Sequence, residues 1–321
     1  MLDAGDLFFA KPRLDRAALP SAQIQARTMV EGFNRIGTDA INIGDNDLAA
    51  GLPFLKTLSD SADFPFLSAT LVDESGNPIF TPYTLVEKGG LKIALIGASS
   101  GLEKGDGFRS LELLPTVAEV VAEAGTQAEL VILLFHGPDT DKQVLVESGL
   151  PIDLILQSHV RRYDPDFGTG PIPISALGNQ GKYLNIITAT IRAPEQPLID
   201  LTVPRRTLTF VEKSRQRLRR NHPDDASLEE LYADNPRILD RLKDLERREA
   251  EAREIVDGAR NTLESERMSL NRNVADDEDL LALVNAAKAE IEKISPPAAA
   301  RVGNNRSGST KARRLAARDG P

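Results

Sequence analysis

Two rhythms of apolar and polar positions divide the chain. Up to residue 204, short runs that are apolar at nearly every position alternate with stretches in which apolar side chains recur every three or four residues. The short runs predict strands at 2–5, 40–44, 66–72, 79–86, 91–96, 130–135, 152–156, 172–176, 184–191 and 198–203. Runs such as LKIALIG and LVILLF are apolar toward both faces, so their sheet is covered on both sides. The longer stretches predict helices from Ser21, with Ile24, Met29, Val30, Phe33 and Ile36 on the apolar side, and over 48–58, 115–124 and 144–147. Strands separated by helices, with both sheet faces covered, are the α/β layered class.

The rhythm changes after residue 204. From Ile238, steps of three and four reach Leu242, Leu245, Glu249, Ala252, Val256, Ala259, Leu263, Glu266 and Leu270. A second run visits Leu280, Val284, Ala287, Ile291 and Ile294, and the polar stretch NRNVADDED between them reads as a turn and an acidic helix start. The spacing predicts a helical hairpin or coiled-coil arm within 205–294, with 238–294 as its self-association element. Residues 295–321 are low in complexity and are expected to be unstructured.

Charge follows the same divisions. Residues 1–204 hold 15 basic and 26 acidic side chains, a balance of −11; residues 205–294 hold 18 and 21 at twice the density; residues 295–321 carry +5. An acidic core argues against nucleic acid as a partner, and a short basic end is first of all a solvated tail. The chain has no cysteine, which removes disulfides, thiolate metal sites, thiol nucleophiles and covalently attached haem. No apolar run approaches the roughly 18–20 residues of a membrane span. Met1 is followed by Leu-Asp-Ala-Gly-Asp, without the basic region that opens a signal peptide. Three histidines, His136, His159 and His222, bound any imidazole chemistry, and His222 sits beside Pro223 in a charged linker.

In α/β sheets, ligands gather beyond the carboxyl ends of strands. There the sequence places Asp6, then Asp45-Asn46-Asp47, then Ser99 and Ser100, then His136, then Ser158 and His159 followed by Arg161. Carboxylates and imidazoles at equivalent ends make an oxygen and nitrogen ligand set suited to zinc, manganese or iron. Each residue also has an ordinary reading. Asp6 suits a strand-end turn, Asp45-Asn46-Asp47 is turn and helix-cap chemistry ahead of Leu48, either histidine suits a loop, and Arg161-Arg162 suits a solvated pair.

The order of these blocks resembles the calcineurin-like metallophosphoesterase superfamily, in particular the catalytic domain of UshA-like 5'-nucleotidases, over residues 1–192. That family runs Asp-x-His, Gly-Asp, Gly-Asn-His-Asp/Glu, a lone His after a buried strand, then Gly-His-x-His. Gly5-Asp6 matches the second block, Gly44-Asp45-Asn46-Asp47 the third, His136 the lone histidine, and Ser158-His159-Val160-Arg161 the last. The resemblance implies a layered β-sandwich flanked by helices over 1–204, with the family's first strand and its Asp-x-His lying before Met1. It implies Asp6, Asp45, His136 and His159 as metal ligands, one divalent ion in place of two, no haem, and a phosphate ester or nucleotide as substrate. A phosphoesterase core with a helical segment also resembles the UshA-like (seleno)protein subgroup, and the family setting is periplasmic or extracellular.

The departures bear on activity. Asn46 stands where the family has the histidine that serves as general acid, and Arg161 stands where it has a second histidine. A register shifted by one makes Asn46 the ligand and still leaves no histidine. A carboxamide cannot protonate a leaving group, and loss of a general acid typically costs about 10²–10⁴ in rate. Arg161 would hold a phosphate as a fixed cation without activating water. Two functions follow as expectations: a metal-dependent phosphoesterase with a reduced site, or an inactive domain that serves binding, assembly or a redox-linked role through its helical arm.

Overall fold

A computed structural model describes residues 1–102, 105, 107–160, 170–178, 181–193, 195–220, 222 and 226–294. The first half runs β1 (Leu2–Asp3), α1 (Leu19–Ile36), β2 (Ala40–Asn42), α2 (Leu52–Asp60), β3 (Phe66–Leu67), β4 (Leu71–Val72), β5 (Tyr83–Lys88), β6 (Leu91–Ser99), β7 (Arg109–Ser110), α3 (Leu113–Gly125), β8 (Leu130–His136), α4 (Asp139–Glu147) and β9 (Leu154–Ser158). It continues with β10 (Ile174–Ala176), β11 (Tyr183–Thr190), β12 (Leu198–Asp200), α5 (Thr202–Arg219), α6 (Leu228–Leu231), α7 (Pro236–Gly258), β13 (Asn261–Ser269) and α8 (Glu278–Ile294).

Two sheets face one another. Strands β1, β2 and β3 form a parallel three-stranded sheet in that order. Strands β10-β9-β8-β6-β5 form a five-stranded sheet, parallel except for the β5–β6 hairpin. Between them lie Ala40, Leu67, Leu95, Leu130, Ile132, Leu134 and Leu154, all buried. Helices α1 and α2 cover the outer face of the small sheet through a cluster containing Val30, Ile41, Leu55, Leu58 and Phe66. The outer face of the large sheet is covered by Val117, Val121 and Leu145 of α3 and α4. The result is a four-layer α/β sandwich. This is why β6 and β8 are apolar at nearly every position: both of their faces are core.

Local signals account for several boundaries. Pro20 opens α1, where a missing N–H costs nothing, and Gly37 closes it at φ 74°, its amide reaching the Asn34 carbonyl. Ser227 and Glu230 cap α6 reciprocally. The predicted helix at 48–58 starts only at Leu52, because Asn46–Leu48 forms a separate turn of 3-10 helix. Residues 66–72 divide into β3 and β4, which join different sheets. Ile36, expected on the apolar side of its helix, is exposed.

The larger difference lies beyond residue 204. The three-and-four rhythm over 238–270 is helical only as far as Gly258; Asn261–Ser269 is a strand. β13 runs between β11, antiparallel, and β12, parallel. Leu263 at its centre is fully buried and joins Leu198 in the inter-sheet core. Two causes are visible. Gly258 is a helix breaker inside the spacing, and Asn261 fixes the turn: its side chain accepts the Arg192 and Ala193 amides and donates to the Ala193 and Gln196 carbonyls. The helices do not form the expected hairpin either. α7 packs on α5 around Val211, Leu242 and Leu245, with an Arg215–Glu249 ion pair, while Leu280 of α8 reaches Gly32 of α1. Residues 295–321, expected to be unstructured, lie outside the described residues.

Candidate metal centre

The loops after β1 and β2 and the ends of β8 and β9 meet at one edge of the sandwich. Register sets this up, since Ser99, His136 and Ser158 are direct neighbours across β6, β8 and β9. Asn42, at the end of β2, bridges the two sheets by donating to the carbonyls of Ala4 and Ala98 at 3.1 Å each. Each sheet therefore delivers two of the expected ligands. Asp6 and Asp45 come from the small sheet, His136 and His159 from the large one.

Their donor atoms all lie within 4.8 Å of one another. His136 Nε2 is 3.1 Å from Asp45 Oδ1, and His136 Nδ1 is 3.7 Å from Asp6 Oδ1. His159 Nδ1 stands 3.8 Å from Asp45 Oδ1 and 3.9 Å from Asp6 Oδ2. The rings of the two histidines meet edge to face at 4.9 Å. His136 is buried at the floor and His159 is half exposed at the rim.

The backbone is bent to achieve this. Among the described residues, Asp6 and His159 are the only non-glycine residues at positive φ, 65° and 62°. Such a conformation costs on the order of 1–2 kcal/mol per residue and persists only where the surroundings impose it. Two glycines make room. A Cβ on Gly44 would lie 2.3 Å from Asp6 Oδ1 and 2.9 Å from His136 Nδ1; a Cβ on Gly5, itself at φ 111°, would lie 2.9 Å from the Gly44 nitrogen.

Asp47 holds the loops together. It is buried, and its carboxylate accepts the backbone amides of Asp6, Phe8 and Gly44 at 2.8–2.9 Å. Burial pushes its pKa up, and those amides oppose the rise. Asp6 is likewise pushed up to about 7, chiefly by burial, against the pull of His136. Asp45 goes the other way, held down to about 2 by the hydrogen bond it would take from His136 Nε2 when that nitrogen carries a proton, despite partial burial.

The hydrogen-bond network decides how His136 faces the carboxylates. The Ser158 hydroxyl is committed as a donor to the Ala4 carbonyl at 2.8 Å, so at 3.0 Å it accepts from His136 Nδ1–H. In the neutral imidazole the lone pair then sits on Nε2, where it accepts the Asp45 amide at 3.3 Å. In that tautomer Asp45 Oδ1, which is buried, has no hydrogen-bond donor. A bare carboxylate oxygen and an imidazole lone pair 3.1 Å apart repel unless a cation lies near both: a proton on Nε2, or a metal ion. The donor set, two carboxylates and two imidazoles, fits a divalent transition metal.

Sequence reasoning missed the part of Asp47 and of Ser158. Asp47 was visible only as turn chemistry, and Ser158 as one polar residue at a strand end. Neither spacing nor residue type shows that a buried carboxylate accepts three amides from two loops. Asn46, expected to act in catalysis, enters through its backbone: its amide donates to Asp6 Oδ1 at 3.0 Å. Arg161 lies outside the described residues.

No family model matches the chain. Over 207 residues it is 28% identical to the metallophosphoesterase YunD of Bacillus subtilis, covering 62% of this chain and 43% of that protein. Over 102 residues it is 32% identical to a 5'-nucleotidase of Vibrio parahaemolyticus, covering 31% of this chain and 17% of that one. The calcineurin-like phosphoesterase YfkN of Bacillus subtilis superposes with a TM-score of 0.60 at 16% identity, over 91% of this chain and 84% of that one. The chain is thus similar to metallophosphoesterases and 5'-nucleotidases, and it shares the calcineurin-like phosphoesterase fold. It spans less than half the length of the curated relatives it matches. Within the metallophosphoesterase fold, the strand-end cluster occupies the place where ligands gather in α/β sheets.

Proposed function

We propose that this chain is a metallophosphoesterase that hydrolyses phosphate esters of the nucleotide class with one divalent ion, manganese, zinc or iron, held by Asp6, Asp45, His136 and His159. The observation that carries the reading is the convergence of those four donors, with Asp6 and His159 held in left-handed backbone to reach it. A bound ion would supply Lewis acidity to a phosphoryl oxygen and lower the pKa of water. The chain's own residues orient the site. Ser158 sets the His136 tautomer, the Asn46 amide steadies Asp6, and Asp47 locks the two carboxylate loops. Nothing at position 46 supplies a transferable proton, so turnover falls short of a site with a general acid by about 10²–10⁴. Esters with good leaving groups, which need no protonation, are the substrates of choice for detecting it.

The test is hydrolysis of 4-nitrophenyl phosphate and bis(4-nitrophenyl) phosphate by purified protein with added Mn²⁺, Zn²⁺ or Fe²⁺. His136→Ala removes the activity and one bound ion per chain by elemental analysis. Absence of turnover with every metal overturns the hydrolase reading for this chain. A second reading, assembly through the C-terminal helices, is favoured by α8, which buries none of its residues and exposes Leu281 and Val284. Light scattering of the chain with and without 278–294 decides it, an unchanged monomer ruling it out. Kinship supports a periplasmic or extracellular setting; among the described residues no helix is long and apolar enough to cross a membrane.

A further inference from the structure

A cleft of about 960 Å³ opens beside the candidate metal centre. Asp45 forms part of its wall, so the cleft borders the four-donor cluster. The volume lies at the upper end of the ~300–1,000 Å³ common for small-molecule sites, far more than one phosphate fills. Leu52, Leu102 and Phe108 present an apolar surface, and each is nearly buried. Lys11 and Arg13, from the loop that follows β1, also line the cleft.

That loop is fixed on both sides of its cations. Phe8 and Phe9 are buried, Phe8 stacking on Phe66 at 5.6 Å and Phe9 meeting Phe54 at 6.4 Å. Leu14, just past Arg13, packs against the same cluster. The Phe8 amide is also held by Asp47, the carboxylate that positions Asp6. One buried carboxylate thus fixes a metal-site residue and the root of a cationic arm. The segment between these apolar pins, Ala10 to Arg13, is exposed. The charge setting makes its sign informative. Residues 1–204 carry −11, a field that repels anions, yet among the described residues the cleft is lined by two cations and by one carboxylate that faces the metal centre.

We propose that Lys11 and Arg13 form an anion-recognition arm, which selects phosphate esters whose leaving group carries a second anionic group across an apolar body. The arm rests on the phosphoesterase reading for its reaction, and not for its binding. Its two cations confer preference by charge and reach: a phosphoryl group at the donor cluster, an apolar portion over Leu52, Leu102 and Phe108, and a phosphate or carboxylate on the arm. Arg offers a planar fork to either oxyanion, and Lys a point charge.

The test compares the full chain with Lys11→Ala, Arg13→Ala and the double variant, checked for folding by circular dichroism. In Mn²⁺, kcat/KM is measured for 4-nitrophenyl phosphate, adenosine 3',5'-bisphosphate and 4-carboxyphenyl phosphate, which separate no second anion, a second phosphate and a carboxylate. The ratio of doubly anionic to simple ester falls at least tenfold in the double variant, mostly through KM. It falls for whichever anion the arm takes, and rising salt erodes it in the parent. Unchanged ratios overturn the proposal. Should the chain hydrolyse nothing, calorimetric binding of adenosine 3',5'-bisphosphate replaces turnover. Binding weakened at least tenfold by the double variant upholds the arm while the hydrolase reading fails, and binding that is absent from the parent or unchanged by the variants overturns the arm.

Discussion

Ser158 acts on His136 from behind. By donating to the Ala4 carbonyl it becomes the acceptor for Nδ1–H, and so leaves Nε2 facing Asp45. Outer groups of this kind typically tune metal affinity by about 10–100-fold. Ser158→Ala is therefore expected to weaken Mn²⁺ binding by roughly tenfold with the fold intact, read by calorimetry. An affinity equal to the parent's shows that His136 keeps its tautomer without help. Asp3 offers a second residue-scale test. Its carboxylate accepts the Gly5 amide at 2.8 Å, yet burial pushes its pKa up to about 7, with Asp47 adding to the rise. Between its ordinary value near 4 and 7 the folded state holds the extra proton, so stability falls as pH rises through that window. Asn keeps the acceptor and has no charge to bury. Asp3→Asn is expected to gain about 4 kcal/mol over the parent at pH 8 in metal-free buffer, shrinking to nothing near pH 4, by urea denaturation.

At the scale of elements, what was legible in the sequence depends on how many faces an element buries. β6 and β8 bury both, and their runs LKIALIG and LVILLF announce them unaided. The donors at their ends were legible because an α/β sheet puts functional groups there, so Asp6, Asp45, His136 and His159 are four positions that the fold was bound to bring to one edge. β13 was hidden. Only Asn261 and Leu263 are buried in it, and two apolar steps over nine residues fit either a helix or a strand. What decides it is tertiary: edges offered by β11 and β12 on either side, and Asn261 tied to residues 65 to 69 positions earlier. If β13 is an integral strand, Leu263→Ala costs about 2–5 kcal/mol as a buried truncation and lowers the single unfolding transition of the whole chain. In an independent arm the same change would leave the main transition in place. Denaturant unfolding followed by tyrosine fluorescence and circular dichroism separates the two.

For the whole molecule, the candidate centre joins two layers of the fold. Asp6 and Asp45 follow strands of the three-stranded sheet and His136 and His159 lie at strand ends of the five-stranded one, and between them at this edge run the hydrogen bonds of Asn42, Ser99 and Ser158 and that of the Asp45 amide to His136. An ion held by all four donors therefore closes the sandwich as well as serving the chemistry. Its stabilisation follows from mass action, about 2.7 kcal/mol when free metal is 100 times the dissociation constant. For a domain of this size each kcal/mol moves the midpoint by roughly 2–4 °C, so saturating Mn²⁺ is expected to raise Tm by about 5–10 °C over chelated protein. His136→Ala, which removes the donor at the floor, should erase the shift. A site that binds metal through the exposed His159 and solvent alone would show the opposite pattern, a small shift that survives His136→Ala and is lost in His159→Ala. The thermal shift thus distinguishes a centre built across both sheets from an ion merely held at the rim, without any substrate in hand.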